Sequence, residues 1–308
     1  METKLTSDQP SLTLLAQETI LTLHGPDAVT FLQGQTTADI SNLPTLGCTG
    51  GAFCDPKGRV LCDFLALKVE PEVVLLRVHT SVAAQLESHL QKFLLFSKAA
   101  LGRDPKHVYG LNATPLPDLV QADQQSSIIS VIEYGEGYLL PRAANLYEYW
   151  GCETDVSQLA GKLTCCLHSD ASEWYQGCVE RGEARITEAT WGKYLPQDLN
   201  YDLRGWINFK KGCYTGQEVI ARLHWRGTPK RRLYYGRINT ATHSEDASPL
   251  SEGCTITNNE GKTCGSVVNI VKRENGDHLL FEATKAAECD ELRIDNSPTF
   301  VHAVRPFF

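Results

Sequence analysis

One run of this chain concentrates groups that could do chemistry: Phe209-Lys210-Lys211-Gly212-Cys213-Tyr214-Thr215-Gly216-Gln217-Glu218, continuing through Val219, Ile220, Ala221 and Arg222. Thr215 followed three places later by Glu218 has the spacing of a capping box, which predicts a helix opening at Gly216. Val219, Ile220 and Leu223 would give that helix an apolar side, and Gly227 would end it. Cys213 then stands two residues before the cap, near the unpaired N–H groups and the positive end of the helix dipole. Lys210 and Lys211 add positive charge. These conditions lower a thiol's pKa and make it a nucleophile or a metal ligand. A cysteine ahead of a helix also serves as plain packing, and the residue types alone leave both readings open. Gly212 and Gly216, on either side of the cysteine, suit a tight bend with close backbone approach.

A basic cluster surrounds this run. Between Arg204 and Arg237 stand nine Lys or Arg (204, 210, 211, 222, 226, 230, 231, 232 and 237) against one acid, Glu218. In a chain of net charge −8 such a concentration makes one face or pocket wall positive. It would suit an anionic small molecule, RNA or an acidic protein face, and it would equally serve as a solvated surface strip. The overall negative charge argues against general nucleic-acid binding, whose affinity comes from neutralising phosphates. Trp206, Tyr214 and Trp225 are interleaved with the cluster, where they would stack on a flat ring or fill core.

The elements that must position these residues read as α+β followed by all-β. Gly25-Pro26-Asp27 opens a short helix with Asp27 as its cap, and Gly34 ends it. Asp55-Pro56-Lys57-Gly58 has type I turn chemistry and joins strands at about 51–54 and 59–67 into a hairpin. Further strands are expected at 73–78, 107–111, 128–132 and 138–140. Helices are expected at 81–96 (Val82, Leu86, Leu90, Phe93 and Leu94 inward), 156–163 and 172–180. Beyond Pro229, short strands at 232–238, 255–257, 267–271, 279–282 and 299–304, with turns at 258–261 and 274–277, form a β-module of the barrel or sandwich type. The division expected is 1–105, 106–228 and 229–308.

With 42% hydrophobic and 21% charged residues the composition is that of a globular protein with a sizeable core. No apolar run reaches membrane-spanning length, and residues 1–10 carry neither a secretory nor an organelle-targeting pattern, so a cytoplasmic protein is expected. Eleven cysteines, an odd number with no C-x-x-C, fit reduced, mostly core-filling thiols better than a disulfide framework or a zinc site. Nothing in the sequence demands more than a monomer.

The run from Lys211 to Glu218 resembles the signature of the YgfZ proteins, folate-binding relatives of the glycine-cleavage T-protein. Three earlier segments are similar to the same family: Gly25-x-Asp27-Ala28-x-x-Phe31-Leu32-Gln33-Gly34-Gln35 with Thr37 and Asp39, Asp55-x-Lys57-Gly58-Arg59, and Leu195-Pro196-Gln197. The resemblance implies a T-protein-like ring of two α+β lobes and a C-terminal β-barrel around a channel that binds tetrahydrofolate. It implies a role in assembly or repair of iron–sulfur enzymes, including those that thiomethylate tRNA, with Cys213 as the critical residue. Trp174, in a segment resembling Trp174-x4-Val179-Glu180-x-Gly182, is the implied partner of the pterin. Lys211, Tyr214, Gln217 and Glu218 of the signature, with Arg222 and Arg226 for the anionic glutamate tail, complete the expected folate contacts. A family tryptophan upstream of the first glycine motif has no counterpart, Gln17 falling at about its place. Two other functions remain in view: a folate-dependent aminomethyltransferase, which needs an acid or base at the reacting folate nitrogen, and a tRNA-binding module using the basic strip.

Overall fold

A computed structural model of the chain describes residues 10–113, 128–143, 145–168, 170–238, 250–284, 291–294 and 300–308. Five α-helices are described: α1 (Ala28–Gln35), α2 (Thr80–Leu94), α3 (Glu153–Leu163), α4 (Ser172–Glu180) and α5 (Gln217–Arg226). The chain divides into two compact units, the first comprising 1–32, 40–50 and 64–171 and the second 33–39, 51–63 and 172–308.

Unit 1 is built on two six-stranded sheets. In one the strands lie in the order Cys166–His168, Ser11–Leu14, His107–Asn112, Leu146–Gly151, Gly137–Ala143 and Ile132–Tyr134. Helix α3 covers it, burying Val156 and Leu159 with Leu12, Leu111, Leu139 and Tyr149. The other sheet runs Ala100–Arg103, Glu18–His24, Val73–His79, Val60–Glu70, Gly47–Cys54 and Ile129–Ser130. Its two longest strands, Gly47–Cys54 and Val60–Glu70, start or finish in unit 1 and carry their hairpin end, 51–63, into unit 2. The expected strand at 128–132 is split at Val131 into two short pieces that join different sheets.

Helix α2 stops at Leu94, two residues short of the expected end. It buries Val82, Leu86, Leu90 and Leu94, while Phe93 is exposed and its ring is tilted against that of His89, their centroids 5.4 Å apart. Asp27 precedes α1 as expected, but its carboxylate accepts the Lys98 backbone N–H at 2.7 Å, tying α1 to the end of α2.

The central strand Leu146–Gly151 is buried along almost its whole length and contains Glu148. That carboxylate is made tolerable by three donors: Arg77 at 3.1 Å, Arg142 at 3.2 Å and the Trp150 indole N–H at 3.0 Å. An acid at a core position is sustained only when charge and hydrogen bonds are both supplied.

In unit 2 the C-terminal β-module is a closed barrel, ordered Arg231–Ile238, Asp277–Thr284, Thr263–Val271, Thr255–Thr257, Leu292–Ile294 and Phe300–Pro306. Tyr234, Val267, Leu279, Phe281, Leu292 and Ile294 fill its interior. Closure decides the sequence's barrel-or-sandwich alternative, and of the last expected strand only Thr299 lies outside the described residues. Helix α4 packs on the outside of the barrel against Thr263–Val271 and Asp277–Thr284. No described helix is long and apolar enough to cross a membrane.

Candidate functional site

The segment that carries Cys213 is a loop held inward at two residues, Lys211 and Tyr214, that flank an exposed pair. Asn208 starts it: its side-chain carbonyl accepts the N–H groups of Lys210 (2.8 Å) and Lys211 (3.0 Å), bending the chain back. Lys211 then reaches inward. Its ammonium donates to three backbone carbonyls, Gln33 at 2.8 Å, Thr36 at 2.7 Å and Ala38 at 2.6 Å, which uses all three N–H bonds. Burial lowers its pKa to about 8, and the nearby Asp39 opposes that shift. The three acceptors also favour the charged form, so at neutral pH this is an ammonium clamp. Tyr214 is buried on the other side of the cysteine, its ring 5.0 Å from the ammonium. Its hydroxyl has no hydrogen-bond partner among the described residues, and burial pushes its pKa up. Between these two anchors Gly212 and Cys213 are exposed, and Cys213 is a free thiol.

The start of α5 differs from the capping-box expectation. The helix begins at Gln217, its N-cap is Gly216, and no side chain caps it. Thr215 is engaged elsewhere: its N–H donates to the Gly34 carbonyl at 3.2 Å and its hydroxyl to the Gln35 side-chain oxygen at 3.3 Å. A hydroxyl held by another segment cannot turn back on its own helix. Glu218 is exposed in the first turn, where its charge suits the helix dipole without bonding the cap. The other end conforms, with Gly227 as the residue after the last turn. Of the expected apolar side only Ile220 is buried, and Val219 is exposed.

Gly216 takes a left-handed conformation, φ 84°, because the hairpin turn 55–58 sits directly against it. A Cβ there would lie 2.6 Å from the Asp55 carbonyl oxygen and 3.0 Å from the Gly58 Cα, both main-chain atoms. The turn itself is fixed by the Asp55 carboxylate, which accepts the N–H groups of Lys57 and Arg59, each at 2.8 Å. Gly212, by contrast, has open space around it, so of the two flanking glycines only Gly216 marks a close approach. Gly216→Ala is therefore expected to destabilise by at least about 2 kcal/mol, from the left-handed backbone plus a clash with main chain. Gly212→Ala should stay within about 0.5 kcal/mol. Denaturant unfolding of both variants tests this, and equal effects would refute it.

Residues 33–39 of the first motif, the turn 55–59 and the segment 195–197 thus meet the signature run within unit 2. Residues 33–39 supply the carbonyls for Lys211, and Asp39 accepts from Gln33 (3.0 Å) and Asn208 (3.4 Å). Thr37 donates to the Trp206 carbonyl at 2.7 Å and accepts the Ala52 N–H at 2.9 Å. Gln197 is fully buried and donates to the Ile220 carbonyl of α5 at 2.8 Å. Lys211, Cys213, Tyr214, Gln217 and Glu218 belong to this knot.

Arg222 and Arg226 stand on the exposed face of α5. Trp225, 68% exposed, lies beside them and is edge-on to the Phe209 and His224 rings, which stack 3.7 Å apart. Much of the basic cluster is committed to structure. Arg204 bonds the Arg181 and Gly182 carbonyls, Arg231 pairs with Glu282 at 2.8 Å, and Arg232 pairs with Asp202. Lys210, Arg222, Arg226 and Lys230 make no ion pair among the described residues.

Trp174 is half-buried on α4, the helix that packs on the barrel. The same helix ends at Glu180, whose side chain is 42% exposed. Glu180 lies 3.4 Å from the His278 Nδ1, which is 2.8 Å from the Tyr235 hydroxyl. Burial, and next the Arg237 charge, hold His278 below the usual histidine range. Sequence reading missed this Glu180–His278–Tyr235 cluster, since strand pairing rather than spacing joins residues 43 positions apart. No three His, Cys, Asp or Glu come together as a metal-binding group among the described residues.

No family model matches the chain. The tRNA-modifying protein YgfZ of Serratia proteamaculans (strain 568) is 32% identical over 96% of this chain and 92% of its own length. That of Yersinia enterocolitica is 33% identical over 77% and 75%. The crystal structure of glycine cleavage system aminomethyltransferase T from Bartonella henselae superposes with a TM-score of 0.70 at 15% identity, covering 96% of this chain and 86% of that one, so the fold is that of a T-protein. Identity of this level along nearly the whole chain, which carries the signature run with its outward-facing thiol, shows that the chain belongs to the YgfZ family.

Proposed function

We propose that this protein is a tetrahydrofolate-binding accessory factor that acts through Cys213 in the assembly or repair of iron–sulfur enzymes, including those that thiomethylate tRNA. In this reading it works in the cytoplasm as a monomer of three lobes (1–105, 106–228 and 229–308), on iron–sulfur proteins as clients. The observation that carries the reading is the display of Cys213: a free, exposed thiol held out between two anchored neighbours, Lys211 and Tyr214. Packing alone does not call for an exposed cysteine. The naming of the relatives as tRNA-modifying proteins supports the pathway.

The residues present suit tetrahydrofolate chemically. A pterin has a flat ring for Trp174 and ring N–H groups for a carboxylate such as Glu180, which is partly exposed while accepting from Gln176 at 3.0 Å, and both stand on α4. Its glutamate tail is anionic, and Arg222 and Arg226 have no acidic partner among the described residues. Bound folate would supply a reduced nitrogen able to carry a one-carbon unit. Cys213 would provide a thiolate or single ligand toward a client, and Lys211 would hold the loop that presents it.

Anaerobic calorimetry with tetrahydrofolate tests the cofactor half. The native protein is expected to bind at about micromolar Kd and the Trp174→Ala variant about tenfold more weakly, the worth of one stacked ring. Absence of heat from the native protein at roughly millimolar folate would sink the folate assignment.

A further inference from the structure

A cavity of about 690 Å³ opens in unit 2 beside the last turn of α5, lined in part by Leu223 and Gly227 of that turn. None of its walls belongs to the signature run. The N-terminus of the ten-residue α5 sits by Cys213, so the helix separates the two places by about 15 Å.

Its charges fall into two groups. In the first, Arg231 donates twice to Glu282, 2.8 Å to each oxygen, and Ser266 donates to the same carboxylate at 3.0 Å. Asp198 accepts the Leu195 N–H at 2.9 Å. The second group is Arg59, Lys193 and Lys230, of which Arg59 is near enough for its charge to act on Asp198. Arg59 is oriented by a 2.8 Å bond to the Lys193 carbonyl, and no ion pair engages any of the three among the described residues. Four cations against two acids leave the lining positive in a chain of net −8. Burial also holds both the Asp198 and Glu282 carboxyls above their usual range. Tyr194, Leu195 and Leu223 supply apolar walls.

This combination selects a ligand. Lys193, Lys230 and Arg59 suit an anionic group with several oxygens, and phosphate is the group that lysine serves well as a point charge. Asp198 and Glu282 suit hydroxyl or amino hydrogens, and they would repel a continuous polyanion. The volume lies in the range of small-molecule sites, and a lone phosphate ion would leave most of it empty. We propose that this cavity binds a small phosphorylated organic molecule, its phosphate against Lys193 and Lys230 and its hydroxyl or amino groups toward Asp198 and Glu282. This inference does not rest on the folate reading.

Calorimetric titration with ribose 5-phosphate and adenosine 5′-monophosphate is the test, with ribose, adenosine and inorganic phosphate as controls. The proteins compared are native, Lys193→Ala/Lys230→Ala and Cys213→Ala. Both lysines are exposed, so the double variant should fold as native does. At least one phosphorylated probe is expected to bind, its unphosphorylated counterpart not. The double variant should weaken binding about tenfold or more, while Cys213→Ala leaves it unchanged. The proposal is overturned if neither probe binds at roughly millimolar concentration, or if the double variant binds as well as native. It also falls if inorganic phosphate binds as tightly as the organic probes, the sign of a surface charge cluster only.

Discussion

On the function proposed above, Cys213→Ala is expected to leave the melting temperature within about 2 °C of native and to abolish support of tRNA thiomethylation in cells lacking their own family member. The two halves of that result come from the same geometry. The side chain is exposed, so its loss removes little buried surface and opens no cavity. The anchors on either side, Lys211 and Tyr214, stay in place, so the loop keeps its path. What disappears is the sulfur alone. A variant with full thiomethylation, read by mass spectrometry of digested tRNA, would show that the thiol is idle. A large drop in melting temperature would mean that the residue packs in solution.

Lys211→Met should behave in the opposite way, destabilising the protein by about 3–5 kcal/mol because three inward carbonyls lose a charged donor at once. Methionine retains the length and most of the apolar stem, so the change isolates the ammonium. Lys211→Arg is not expected to rescue. A guanidinium presents its N–H groups in a planar fork, whereas these three acceptors converge on one point. Denaturant unfolding measures the effect, with hydrogen exchange at residues 33–39 reporting where it falls. A loss under about 1 kcal/mol would show that the carbonyls find water or each other.

The sequence motifs read the local chemistry better than its direction. The hairpin at 55–58, helix α4 and the stop at Gly227 were legible because each depends on residues adjacent in the chain. Five of the six barrel strands were legible, helped by turn residues such as Asn258 and Gly276, while the three-residue strand Leu292–Ile294 was missed. The strand Leu146–Gly151 was not, because Glu148 in its middle imitates an exposed position until Arg77 and Arg142 are known to face it. Thr215 was read as a cap because its competitor, Gln35, lies 180 positions away. Lys211 was read as charge beside the thiol, whereas its ammonium is occupied by carbonyls from residues 33–38. In each case a long-range partner outweighed the local pattern.

The interleaving of the two units has a consequence for how the protein is made. Residues 33–39 and 51–63 leave the ribosome early, yet they pack with 172–308. The Gln33 carbonyl and the lysine that satisfies it are 178 positions apart, which is roughly 10–35 s of synthesis. Until then those carbonyls have only water. Cys213 and its clamp emerge within two residues of one another, after more than two-thirds of the chain. A nascent or truncated chain ending before them carries a waiting socket and no thiol to display. Translation order itself therefore keeps an unrestrained copy of this cysteine from preceding the frame that restrains it.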